Sequence, residues 1–429
     1  MKEIQVVILI GGYGYSLFPL TEKQYKHLLP IANKPLLAYV VEKLQAHYFT
    51  NFIFVCNNEN KNDIERYFEE KFIWSKRIPK TTYYYAPERY LSSTQALADL
   101  CSKYVITKDI LLINGDLLTS CNLNNLIDYH YVNDNDITAV VVDSKDSESL
   151  IVADKDENML KITDREELKF KGLYFRSSII QRNMEMQTYS NKDLAHVFVI
   201  NRQLFNILPK LSEKFHNFED ELLPFLVEHQ YNKKLLREIH NIKDDVKDNV
   251  SQDINSDELE EKRYRINCYL FNGYNRRVNS LKEYVQLNFE ALSMYRNSPV
   301  FQFTENNEPV MPPNSDDKNK GQGNIISVDN DISPETIIRK CIIAKNCKIG
   351  KSQLKNCIVL KDTIIEDDCI LDNCFIGARA IIHAKSKLVD CTVADHYTVK
   401  EDSNVNNEVL ITRESQEVEV IRKSSIHDS

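Results

Sequence analysis

"VVILIGGYGYSLFPLT", Val6–Thr21, joins a continuous apolar run to three glycines within four positions, with a proline five residues beyond the last. An apolar run ending in glycines is how a buried parallel strand turns toward a ligand, because glycines let backbone amides cradle an anion. Two common phosphate loops do not fit. A Walker loop needs a lysine for the terminal phosphates and a hydroxyl for magnesium just after its last glycine, and neither is present. A dinucleotide fingerprint begun at Gly12 puts Leu17 where its third glycine belongs, and Pro19 falls where its helix should start.

Working outward, the first 143 residues alternate strand-like runs ("IQVVILI", "NFIFVC", "TTYYYA", "DILLINGD", "ITAVVVD") with helix-like ones. "LLAYVVEKLQAHY" places Leu36, Leu37, Val40, Val41 and Leu44 on one helical face, and "DIERYFEEKF" does the same for Ile64, Tyr67, Phe68 and Phe72. This alternation predicts an α/β, Rossmann-like domain with a mostly parallel sheet covered on both faces. It extends over residues 1–303. Within it, 241–263 ("NIKDDVKDNVSQDINSDELEEKR") reads as a disordered acidic insertion, and 304–324 as a linker with almost nothing to bury.

Past the linker the period changes. Apolar residues recur every five or six positions at Ile332, Ile338, Ile343, Ile349, Leu354, Val359, Ile365, Ile370, Ile376, Ile382, Leu388, Val393 and Val399. Neither helix nor hairpin keeps that step, whereas a hexapeptide β-helix does, with one inward residue per flat side. Residues 325–412 are therefore expected to form such a domain, of roughly four coils at about 18 residues each, and 413–429 a polar tail. "KNC", "KNC" and "DNC", ending at Cys347, Cys357 and Cys374, follow the repeat. No C-x-x-C occurs among the ten cysteines, so they read as reduced thiols packed as small hydrophobes.

Composition narrows the function classes. With 54 basic against 63 acidic residues the net charge is -9, which is not the basic footprint of a nucleic-acid binder. The N-terminal apolar run is too short for a signal peptide or a membrane span, and a cytosolic protein is expected.

The glycine stretch resembles the loop of sugar-1-phosphate nucleotidyltransferases, G-G-x-G-[ST]-R-[LM]-x-P-L-T. It keeps Gly11, Gly12, Gly14, Leu17, Pro19, Leu20 and Thr21, and "YKHLLPIANKPLL" keeps Lys26, Pro30, Asn33, Lys34 and Pro35. In that chemistry a sugar phosphate attacks a nucleoside triphosphate, and positioned cations and a metal ion stabilise the leaving pyrophosphate. The family arginine falls at Ser16, and Tyr15 adds a bulky ring. Asp116, in "LLINGDLL", matches the family's first metal carboxylate or is an ordinary turn residue. "SSTQAL" has Ser93 where the nucleobase segment keeps glycine. Asp220 and Glu221 are candidates for a second carboxylate or are helix caps. His27 reads as a surface or packing residue. The relic pocket is thus Gly11, Gly12, Gly14, Lys26 and Asp116, with no catalytic residue, metal ligand or cofactor assigned.

Over nearly the whole chain the resemblance is to the gamma subunits of eukaryotic translation initiation factor 2B, carried by "IANKPLL", "AHVFVINRQLF" with "ELLPFLV", "RYRINCYLFNGYNRRVNSL" and "FIGARAIIHAKSKLVDCTV". It implies a left-handed β-helix, and a non-catalytic subunit that pairs with the epsilon subunit inside a larger complex and supports GDP/GTP exchange on initiation factor 2. No direct nucleic-acid or membrane partner is implied. The epsilon subunit carries a further C-terminal exchange domain, whereas this chain ends at Ser429. A working pyrophosphorylase of the mannose-1-phosphate guanylyltransferase type is the alternative. An acyltransferase using His383 or His396 is a third reading.

Overall fold

The structure, a computed structural model, describes residues 4–58 except 13 and 23, 61–72, 80–86, 92–232 except 104 and 184, 235, 264–294, 323–412 except 328, and 418–422. The segments 241–263 and 304–322 lie outside the described residues. The chain divides into two compact units, Met1–Gly11 with Val40–Asn275, and Gly12–Tyr39 with Arg276–Ser429.

The first unit is built on a seven-stranded sheet. Its strands are β1 (Gln5–Ile10), β2 (Asn51–Asn57), β3 (Lys80–Ala86), β4 (Ile110–Asn114), β5 (Ile137–Asp143), β6 (Lys192–Ile200) and β7 (Ile266–Phe271). Their order is β7-β5-β6-β4-β1-β2-β3, and all neighbours run parallel except around β6, which is antiparallel to β4 and β5. Strands buried on both faces need apolar residues at every position, and all five residues of β4 are buried. Helices supply the cover. Val40, Val41 and Leu44 are buried along the part of Leu36–Ala46 that belongs to this unit, as are Ile64 and Phe68 along Lys61–Phe72. From β1 the chain steps outward to β2 and β3, then returns to place β4 on the other side of β1. The carboxyl ends of β1 and β4 therefore flank a topological switch point, where open α/β sheets bind ligands.

In the second unit, stacked parallel strands of two or three residues form three sheets, the sides of a left-handed β-helix. Ile343, Val359, Ile376, Val393 and Leu410 stack in one inward column, so a coil takes 16 or 17 residues. Two of the sheets have five strands, one more than the coils expected from the sequence. One expected inward residue is corrected. Ile370 is 43% exposed while Leu371 is 1% exposed, because the step there is six residues on one side and five on the next. At two of the three corners a small residue sits two positions before the inward one in coil after coil. Cys341, Cys357, Cys374 and Cys391 form one such column, and Thr336, Ser352, Cys369, Ser386 and Ser403 another. The asparagines of "KNC", "KNC" and "DNC" explain themselves here. Asn346, Asn356 and Asn373 take φ of 59°, 50° and 53° at the corners, a left-handed conformation that asparagine tolerates better than other side chains. All ten cysteines are free, and burial raises the Cys347 thiol to about 11. Within 413–429, Val418–Arg422 pairs antiparallel with Glu408–Thr412.

The outer face of one β-helix sheet is also apolar and buried, through Ile342, Ile358 and Phe375. The helix Leu281–Met294 and the segment 12–39 belong to this unit and meet that face. Tyr284 packs edge-on against Phe375 at 5.8 Å and donates its hydroxyl to the Pro30 carbonyl at 2.7 Å. Asn33, at φ 67° in the tight turn between Pro30–Ile31 and Lys34–Pro35, donates its amide to the Ile343 carbonyl at 2.8 Å. The Ala32 N–H donates to Asn288 Oδ1 at 2.9 Å.

Leu371→Ala is expected to destabilise the chain by about 2–5 kcal/mol in urea unfolding, against about 0.5 kcal/mol or less for Ile370→Ala. At Asn33, the glycine variant loses only the hydrogen bond, about 1 kcal/mol. The alanine variant adds the left-handed penalty of about 1–2 kcal/mol, so Asn33→Ala should have the lower urea midpoint. Cys101 is the only one of the ten thiols that is not buried. Ellman's reagent should therefore titrate one thiol rapidly in native protein and the other nine only after denaturation.

Candidate functional site

Five positions singled out in sequence are split between the two units: Gly11 and Asp116 on the first, Gly12, Gly14 and Lys26 on the second.

On the first unit, Gly11 follows β1 and Asp116 follows β4. The two strand ends are tied by the Gly115 N–H to the Leu9 carbonyl at 2.8 Å. Asp116 is 2% exposed. A Cβ at position 11 would stand 3.2 Å from Asn57 Oδ1 at the end of β2, so the glycine is what lets the two strand ends approach. Asn57 is 8% exposed and its Nδ2 has no hydrogen-bond partner, so this end of the sheet holds a buried donor. Beside β4, a bulge in β6 between Leu194 and Phe198 turns His196 to φ 58°, and its Nδ1 meets Glu219 Oε2. The other oxygen of Glu219 receives the Asn114 amide at 3.5 Å. Sequence reading missed Asn57, His196 and Glu219. The available signal was a polar residue inside each apolar strand, and a third acid next to the two chosen.

Those two acids serve the helical turn Phe218–Leu222. Glu221 accepts the His216 N–H at 2.6 Å, and Asp220 accepts the Asn217 amide. Such bonds are the work of caps, which saturate donors that a helix start leaves over. Ser93 also supports this turn, accepting the Phe218 N–H at 2.9 Å, and the Thr94 hydroxyl is buried without a partner. A magnesium ion held by paired carboxylates does not fit these residues. Glu221 is engaged by the His216 N–H, Asp220 by the Asn217 side chain, and both oxygens of Glu219 by His196 and Asn114. Among the described residues no three His, Cys, Asp or Glu side chains converge as a metal site.

Gly12, Gly14 and Lys26 lie on the second unit. Gly14 sits at φ 72°, and a Cβ there would come within 3.0 Å of Lys26 Cβ and 3.1 Å of Thr21 Cγ2. The Thr21 hydroxyl closes the loop on the Gly14 carbonyl at 2.8 Å. Its charged and polar groups bond within the unit. The Lys26 ammonium is buried and donates to Asn279 Oδ1 at 3.2 Å, and the Ser16 hydroxyl donates to the Asn279 carbonyl. Tyr15 is 79% exposed. His27 is buried against the Tyr25 ring, as a packing residue. Lys34 lies 4.5 Å from the centre of the Tyr39 ring. At Ser16 the loop has a hydroxyl where the family arginine would supply a guanidinium clamp.

Among the described residues, no helix is long and apolar enough to cross a membrane.

Comparison with known proteins accords with this geometry. The nucleotidyl transferase family model matches residues 5–169. The chain is 32% identical over 126 residues to a bifunctional GlmU protein of Methanococcus maripaludis, covering 29% of this chain and 28% of that one. It is 31% identical over 128 residues to subunit epsilon of translation initiation factor eIF2B from Schizosaccharomyces pombe, covering 30% of this chain and 19% of the relative. Against subunit gamma of eIF2B from the same yeast the identity is 25%, over 247 residues, 54% of this chain and 52% of the relative. The matches thus span between about a fifth and about half of these relatives. The chain therefore carries a nucleotidyltransferase-like domain followed by a β-helix, and its relatives include both enzymes and initiation-factor subunits.

Proposed function

We propose that this chain is the gamma subunit of an eIF2B-type guanine nucleotide exchange complex. In this reading it works in the cytosol, pairs with the epsilon subunit and supports GDP/GTP exchange on initiation factor 2 without catalysing a reaction of its own. The observation that carries the reading is the use of the loop's polar groups. Lys26 and Ser16, where a pyrophosphorylase needs cations for its leaving group, both bond to Asn279, and of the acids expected to hold a second metal contact Glu221 caps a helix and Asp220 holds the Asn217 side chain. Losing a positioned arginine costs about 10³-fold or more in phosphoryl-transfer systems. Residues 12–39 instead brace the β-helix through Asn33 and Pro30. The gamma subunit of the fission yeast supports the same reading, because its likeness extends over 54% of this chain, beyond the residues shared with the GlmU protein.

A sugar-1-phosphate nucleotidyltransferase of the mannose-1-phosphate guanylyltransferase type is the second reading. Asp116, buried at the switch point beside a glycine that permits close approach, favours it.

Two measurements separate them. Purification of the tagged chain from its native cytosol at moderate salt should recover the epsilon subunit and the remaining exchange-factor subunits in stoichiometric amounts. Recovery of the chain alone would sink the proposal. In a thermal-shift assay, nucleoside triphosphate with magnesium should leave the melting temperature unchanged. Binding at a hundredfold excess over Kd would add about 2.7 kcal/mol, a rise of several degrees, and would support the enzyme.

A further inference from the structure

The excursion between the short strands Met159–Asp164 and Gln187–Tyr189 buries almost nothing of its own. Its first helix, Arg165–Lys171, has no buried residue, and its second, Ser177–Arg182, buries only Ile179. Yet its sequence, "REELKFKGLYFRSSIIQR", is rich in large apolar side chains. Phe170 is 86% exposed, and Leu173, Tyr174 and Ile180 are exposed with it. Apolar groups clustered on a surface mark an interaction site, where scattered ones would not.

The excursion is held in shape by its neighbours. A cleft of about 240 Å³ opens beside Gly172 and Tyr174, walled by Phe225 and bordered by Glu167, Asp220 and Glu228. Beneath it the buried Lys161 ammonium lies 4.2 Å from the centre of the Tyr174 ring and pairs with Glu228. Phe225 stacks on His229 at 4.0 Å. His229 donates Nδ1–H to the Phe225 carbonyl and accepts the Arg176 guanidinium at Nε2. Arg182 lies over the Tyr231 ring at 5.0 Å.

Charge identifies the occupant. Residues 164–182 hold Asp164, Glu166 and Glu167 against Arg165, Lys169, Lys171, Arg176 and Arg182, a basic strip on a chain of net charge -9. The two lysines pair with Glu166 and Glu167, whereas the partners of Arg165, Arg176 and Arg182 are neutral, the Ser190 carbonyl, His229 and the Tyr231 ring, so the strip keeps an excess of positive charge even with Asp164 counted. We propose that this strip is a docking surface for a protein segment that presents apolar residues flanked by acidic ones, as an amphipathic acidic helix does. The apolar residues enter beside Phe170, Leu173 and Tyr174, and the carboxylates meet Arg176 and Arg182. A single-stranded nucleic acid is disfavoured, because Leu173 and Ile180 offer no stacking face and the two lysines already have carboxylate partners. The inference concerns the first unit alone and does not rest on the role in translation.

The test uses the full chain and fluorescence anisotropy with three labelled probes: a helical peptide of leucine and glutamate, its leucine and lysine counterpart, and oligouridine. The acidic peptide alone should bind in the micromolar range. Phe170→Ser with Leu173→Ser should weaken it at least about tenfold, with an unchanged melting temperature because neither side chain is buried. Arg176→Glu with Arg182→Glu should abolish acidic-peptide binding and admit the lysine peptide. Equal binding of the lysine peptide, preference for oligouridine, or indifference to these variants would overturn the proposal. So would self-association of the chain that Phe170→Ser abolishes, since the occupant would then be a second copy.

Discussion

A β-helix whose outer face is apolar must have that face covered, and Ile342, Ile358 and Phe375 impose this on the second unit. At about 25 cal/mol per Å² of apolar surface, three such side chains left in water would forgo several kcal/mol. The chain meets the demand with elements distant in sequence. Leu281–Met294 brings Tyr284 to Phe375, and the turn carrying Asn33 reaches the Ile343 carbonyl. The glycine loop and its lysine motif, the part of the chain most suggestive of phosphate chemistry, thereby belong to the β-helix unit.

Once the loop is braced in this way, its polar groups are no longer independent of packing. Drawing the Lys26 ammonium away from Asn279 toward a phosphate would break a charged hydrogen bond in a buried setting, a cost of about 1.5–3 kcal/mol before any ligand contact is counted. A working transferase offsets such a cost with an arginine and a metal ion. Here Ser16 stands in the arginine's place and is bound to the same Asn279. Shape and chemistry are therefore separable in this loop. Gly14 and Thr21 preserve the turn because Lys26 Cβ and Thr21 Cγ2 leave no room for a side chain at Gly14, whatever the loop binds.

Much of the fold was legible because each unit repeats one physical demand. Parallel strands buried on both faces read as unbroken apolar runs, and the β-helix reads as a step of five or six. One slip, Ile370 for Leu371, fell where two branched residues are adjacent and the step could be taken either way. The site was less legible. Glu219, Asp220 and Glu221 are neighbours in sequence, and only the geometry of the turn Phe218–Leu222, capped by Asn217, decides which carboxylate leaves the cap and meets His196. The bracing role of Asn33 was invisible for a similar reason. Its partner carbonyl lies 310 residues away, and no local pattern encodes that distance.

The two units also use exposed apolar residues differently. On the β-helix, Ile337 and Ile370 stand singly among polar neighbours in their column, as Gln353 and Lys387 flank Ile370. Single exposed aliphatic side chains of this kind are ordinary for a soluble surface. On the first unit, Phe170, Leu173 and Tyr174 lie within five consecutive residues of an excursion that contributes little to its own core. A helix with no buried residue gains nothing from tertiary packing, and an isolated two-turn helix is unstable in water. Its two ion pairs, Lys169 with Glu166 and Lys171 with Glu167, are solvent-exposed and contribute little. Apolar side chains kept on such an element reduce solubility without stabilising the chain, so a constraint outside the core must hold them there.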